Sequence, residues 1–214
     1  MFTLPMVLLS ILAIWILNVL TVIGVKTSEA EGITKILSKY HNPLPILNGT
    51  NHLYLIWTSR KTLLSYSVRC VYSKYIGPGK MSNVVKRTLD YIPEKSPLGR
   101  PATTSVNFRL RVINDTSPTT HTRIEVTLKG TGGRKGASNG SLFTLIVVYA
   151  DQSCLILKDA SGGEYASCYM WVRLQYDKKV PMYCEYIYLS DCTETTYTAY
   201  DTKKCSDDNA INNS

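Results

Sequence analysis

The chain has 214 residues, with 24 lysines and arginines against 16 aspartates and glutamates, a formal net charge of +8, three histidines and six cysteines. The basic residues are dispersed: Lys86-Arg87, Arg134-Lys135, Lys178-Lys179 and Lys203-Lys204 are isolated pairs in long neutral stretches, which excludes a dedicated nucleic-acid face and leaves a solvated basic surface. No Gly-x-Ser-x-Gly or comparable nucleophile setting occurs, and His41, His52 and His121 stand apart from the cysteines, so neither a catalytic site nor a metal site is readable.

Residues 2–25 are almost uninterrupted Leu, Ile, Val, Met and Trp, followed by small and polar residues, which predicts a signal peptide over 1–30 cleaved near 24–30. A run of roughly 20 apolar residues is also long enough to span a bilayer, and a retained anchor is the competing reading. Export agrees with sequons at Asn48, Asn114 and Asn139, read as glycosylated loops, and with a fourth at Asn212. It also agrees with an even cysteine count, which in a secreted chain implies a disulfide framework whose pairing the spacing leaves open. After cleavage about 185 residues remain, enough for one domain over 31–205 and a disordered polar tail over 206–214.

The first element is a short helix over 32–40, stopped by Pro43 and Pro45. Eight runs rich in Val, Ile, Thr and Tyr follow, at 52–60, 66–75, 83–92, 103–113, 122–129, 142–150, 153–158 and 166–174. Turn residues separate them, among them Gly77-Pro78-Gly79, Pro97 to Pro101 and Ser161-Gly162-Gly163. In the third run Val85, Arg87, Leu89 and Tyr91 alternate with Lys86, Thr88 and Asp90, which points Arg87 inward in one register and into solvent in the other. In the fourth, Thr104, Val106, Phe108, Leu110 and Val112 share one face against Asn107, Arg109 and Arg111. In the fifth, Thr122, Ile124, Val126 and Leu128 oppose Arg123, Glu125 and Lys129. Gly130-Thr-Gly-Gly133 reads as a hairpin turn, since no Gly-Lys-Ser/Thr follows to make a phosphate loop. Eight such strands close into an all-β antiparallel barrel whose interior is either filled or holds one small ligand. Met182, Tyr186 and Leu189 at near-helical spacing predict a helix over 180–190, laid outside the barrel.

The most specific signal is an ordered set: Cys154-Leu-Ile156, Cys168-Tyr-Met-Trp171, Val180-Pro181, Cys184, Cys192, and Tyr200-Asp201 ahead of Cys205. Leu53-Tyr-Leu-Ile-Trp57 and Cys70 precede it as the first two strands. In these residues, over nearly the whole mature chain, the sequence resembles the salivary lipocalins of ticks, the histamine-binding-protein family. The general lipocalin Gly-x-Trp signature is not evident at the first strand. The resemblance implies an eight-stranded lipocalin-like barrel with a C-terminal helix and a short N-terminal helix. It also implies disulfides Cys70–Cys205 and Cys154–Cys184, which leaves Cys168 to pair with Cys192.

In amine-binding members of that family an Asp follows the cysteine matching Cys154 and a Glu follows the one matching Cys168, and these carboxylates hold the ammonium. Here those positions are Leu155 and Tyr169. Burying a cation without paired anions is costly, so the departure turns the expectation away from histamine and toward an apolar ligand. The candidate ligand contacts are Leu155, Tyr169, Trp171, Phe108 and, for a ligand carboxylate, Arg87. The expectation is a secreted monomer that sequesters a small apolar mediator of the host, an eicosanoid or fatty acid, with no cofactor, metal, nucleic acid or membrane contact after cleavage. Competing expectations are a lipocalin-scaffold inhibitor of a host protein of complement or haemostasis, acting through loops 74–81 and 130–140, and retained biogenic amine binding through Asp90 or Glu164.

Overall fold

The computed structural model describes residues 40–59, 68–93, 102–114, 121–128, 142–163, 166–192 and 196–205. The signal peptide, the 32–39 part of the first predicted helix, the 130–140 loop and the 206–214 tail lie outside them. The strands are β1 (Leu53–Thr58), β2 (Val68–Ser73), β3 (Tyr75–Pro78), β4 (Val84–Pro93), β5 (Thr104–Ile113), β6 (Arg123–Leu128), β7 (Phe143–Ala150), β8 (Cys154–Asp159), β9 (Cys168–Arg173) and β10 (Tyr197–Thr198). Helix α1 spans Leu44–Leu47 and α2 spans Met182–Cys192.

Antiparallel pairing runs β1-β2-β4-β5-β6-β7-β8-β9, and β9 returns to β1, so eight strands close a barrel. Each ring strand overlaps one of the eight period-two runs, because side chains alternating in and out are what a closed wall with a dry inside requires. The closure is continuous from Leu53↔Arg173 to Thr58↔Tyr169, with one bulge between Leu55 and Trp57.

Four local features differ from the sequence reading. Pro43 and Pro45 begin α1 at its N-cap and first turn, positions where the missing N–H costs nothing, instead of only ending a preceding helix. Gly77-Pro78, read as a turn, belongs to strand β3 on the flank of β4, and Gly77 has φ of 155°. Leu128, placed on the inner face, is 50 % exposed, because it lies at the very end of β6. The predicted helix exists as α2, but Met182, Tyr186 and Leu189 face outward at 82 %, 73 % and 57 % exposure, while Cys184, Tyr188 and Cys192 form its buried side.

Disulfides explain that rotation. Cys154 and Cys168 alternate with the inward residues of β8 and β9 and therefore point out of the barrel, where they bond to Cys184 and Cys192. Cys168 stands opposite Lys158, four residues along β8 from Cys154, a span of about 13 Å. Eight helical residues from Cys184 to Cys192 cover about 12 Å, so α2 fits along β8 with both bonds closed. Beneath it Tyr188 meets Trp57 at 5.7 Å between ring centroids, in a core shared with Ile156 and Met170.

The third disulfide, Cys70–Cys205, fastens the terminal segment where the sequence predicted no strand. β10 pairs with the second half of β1, at Trp57↔Thr198 and Thr58↔Tyr197. Ala199 bridges the gap, donating its N–H to Ile56 O and accepting from Val71 N–H. A register shift between Arg69 and Tyr72, with Cys70 in the left-handed region at φ 55°, bends β2 away from β1 there and admits the segment.

Candidate functional site

The ring has two unlike ends. At one, the starts of β1, β4, β6 and β8 meet the α1 turn; at the other lie the end of β8 and the starts of β7 and β9. Between them is a cavity of about 450 Å³, within the range of about 300–1,000 Å³ typical of small-molecule sites. The barrel is hollow, not filled.

Strand register builds the walls. Leu155 and Leu157 on β8 stand opposite Trp171 and Tyr169 on β9, and Trp171 is also opposite Leu55 on β1. Phe108 and Leu110 on β5 face Arg87 and Val85 on β4. Phe108, Leu110, Val126, Leu145, Leu155 and Trp171 make most of the lining apolar. All five side chains selected from the sequence as ligand contacts, Leu155, Tyr169, Trp171, Phe108 and Arg87, border this one cavity. Burial holds the Tyr169 phenol above its ordinary pKa, with the negative charge of Asp159 adding to the rise and a hydrogen bond with Ser167 opposing it, so Tyr169 stays neutral at physiological pH.

Arg87 lies inside, 1 % exposed, but its chemistry differs from the sequence reading. A guanidinium has five N–H donors, and here every one is spent on the protein. Nε donates to Ser73 Oγ at 3.0 Å; Nη1 donates to Leu47 O at 2.8 Å and Gly49 O at 3.0 Å; Nη2 donates to Asn51 O at 3.0 Å and Ser73 O at 2.9 Å. Arg87 therefore ties the segment after α1 across the mouths of β2 and β4 and forms a floor with Leu47 and Leu53. Burial lowers its pKa to about 10, with Tyr75 opposing and Arg173 assisting, and it remains a cation at neutral pH.

Asp159 is the functional candidate that the sequence reading missed. It lines the loop end of the cavity beside Ser167 and Tyr169. The signal was available, since Asp159 continues the alternation Leu155, Leu157, but it stands next to Ser161-Gly162-Gly163 and reads as part of that turn. Asp90, a carboxylate named for amine binding, is 2 % exposed, accepts from Thr88 Oγ1 and does not border the cavity. Glu164 lies outside the described residues. Asn48 and Asn114 are exposed and Asn139 is outside the described residues. Among the described residues no group of three or more His, Cys, Asp or Glu side chains is placed to hold a metal ion.

A hollow eight-stranded antiparallel barrel with a helix bonded along its last strands is a lipocalin-type ligand-binding fold. The family model described as tick histamine binding protein matches residues 35–207, and the chain belongs to that family. Among solved structures, Japanin from Rhipicephalus appendiculatus bound to cholesterol is similar in fold, with a TM-score of 0.55 and 21 % identity over 75 % of this chain and 98 % of that one. No curated protein matches the sequence.

Proposed function

We propose that this protein is a secreted, monomeric carrier that captures one small apolar molecule in its barrel and so removes a lipid mediator of the host from solution. The observation that carries the reading is the hollow of about 450 Å³ with an apolar lining. Burial of ligand surface there contributes roughly 25 cal/mol per Å², and the aromatic faces of Tyr169 and Trp171 supply shape as well as area. Fatty-acid derivatives, eicosanoids among them, are one class of that size; a sterol, as in the Japanin structure, is another. Leu155 and Tyr169, in place of the family's amine-holding carboxylates, support a lipid over histamine. The hollow interior supports capture over inhibition of a host protein by a filled barrel. Signal cleavage and glycosylation at Asn48, Asn114 and Asn139 complete the reading of an exported protein.

Native mass spectrometry of the secreted, deglycosylated protein with a panel of eicosanoids, fatty acids, cholesterol and biogenic amines tests it. The expected result is a one-to-one lipid adduct that is weakened in Tyr169→Ala. Adducts with amines alone, or with nothing in the panel, would reject the lipid carrier.

A further inference from the structure

The two ends of the cavity offer a ligand head group different chemistry. We propose, resting on the carrier reading, that Asp159 receives a hydrogen-bond donor, so that the preferred lipid ends in a hydroxyl or an ammonium and not in a carboxylate.

Asp159 is fixed by its neighbours. Its main-chain N–H donates to Ser167 O at 2.9 Å, holding the end of β8 against the segment that enters β9. Its Oδ1 accepts from Ser161 N at 3.0 Å and from Ser161 Oγ at 2.8 Å. Among the described residues nothing donates to Oδ2, so one acceptor oxygen remains on a side chain that borders the cavity. Beside it the Tyr169 phenol keeps its proton.

A lipid carboxylate fits neither end. At the loop end it meets the like charge of Asp159. At the α1 end it meets Arg87, a cation whose five N–H groups are already donated to Ser73, Leu47, Gly49 and Asn51 and which has none left for a direct bond. A head group that donates avoids both conflicts and turns the free oxygen of Asp159 into a charge-assisted hydrogen bond.

A matched series separates the terms: tetradecanol, methyl tetradecyl ether, tetradecanoate and tetradecylamine, each competed against an environment-sensitive fluorescent lipid on the disulfide-bonded protein. Tetradecanol is expected to bind about tenfold more tightly than the ether or tetradecanoate. In Asp159→Asn, whose amide oxygen still accepts from Ser161 and whose NH2 replaces the free acceptor oxygen, tetradecanol loses its lead over the ether, tetradecylamine weakens and tetradecanoate gains. In Asp159→Leu the alcohol and the ether become equal. Equal affinities of alcohol, ether and tetradecanoate for the unmodified protein, or an alcohol preference that survives Asp159→Leu, would overturn the assignment while leaving the carrier intact. Binding of none of the four would instead remove the carrier reading on which it rests.

Discussion

Arg87 shows how a side chain at a ligand cavity can be committed to architecture. Its five bonds reach main-chain oxygens 36 to 40 residues earlier and both oxygens of Ser73, and the planar fork suits several acceptors at once. Lysine carries three donors on one atom and cannot span them. Arg87→Lys is therefore expected to destabilise the fold by on the order of 3 kcal/mol in chemical denaturation, since buried carbonyls lose their partners. An undiminished midpoint would show that the guanidinium is replaceable. The alternation of Arg87 with Val85 and Leu89 placed it on their face but left open whether that face is inward; its partners were not legible, because they are mostly backbone oxygens brought near by tertiary folding and carry no sequence signature. Asp159 is hidden for a different reason: its alternation with Leu155 and Leu157 is present in the sequence, but the turn beside it supplies a sufficient local explanation.

At the scale of elements, the eight ring strands were legible as runs rich in Val, Ile, Thr and Tyr between turn residues; β6 and β9 alternate cleanly between their two faces, whereas β1, β2 and β8 are buried on both for most of their length, under α2 and the terminal segment. β3, β10 and α1 were not, being four residues or fewer, too short for periodicity to show. The face of α2 was misread for a different reason: hydrophobicity favoured Met182, Tyr186 and Leu189, but two covalent bonds and the ring of Tyr188 decide which side is down. Paired substitutions follow from this. Tyr188→Ala, which empties the space against Trp57, is expected to cost about 3–5 kcal/mol, whereas Tyr186→Ser is expected to change stability by no more than about 0.5 kcal/mol. Thermal unfolding of the two variants under non-reducing conditions checks the orientation, and a larger loss for Tyr186→Ser would reverse it.

For the whole molecule, acid is the environmental variable with a clear sign. Burial holds His41 and His52 below their ordinary value of 6.5. For His41 the charge of His121 pushes the same way, with Asp191 and a hydrogen bond to the Val148 backbone opposing; for His52, Lys74 and Arg87 assist and Asp90 opposes. The native state therefore binds fewer protons than the unfolded chain just below pH 6.5, and stability falls as the pH falls through that region. The midpoint of thermal unfolding is expected to be lower at pH 5.5 than at pH 7.5, with the difference reduced in His41→Gln and His52→Gln; a flat profile would contradict the assignment.

The bridge made by Ala199 carries a consequence for biosynthesis. A nascent chain emerges from its amino end, so Ile56 and Val71 are made long before the residue that joins them. Ala199 and Cys205 complete the wall between β1 and β2 at this point, behind Trp171 and Tyr169, which pack with Leu55 and Val71. On the proposed carrier reading, a ligand is expected to be held only once this last seam and the Cys70–Cys205 bond have formed, so reduction of that bond is expected to weaken binding.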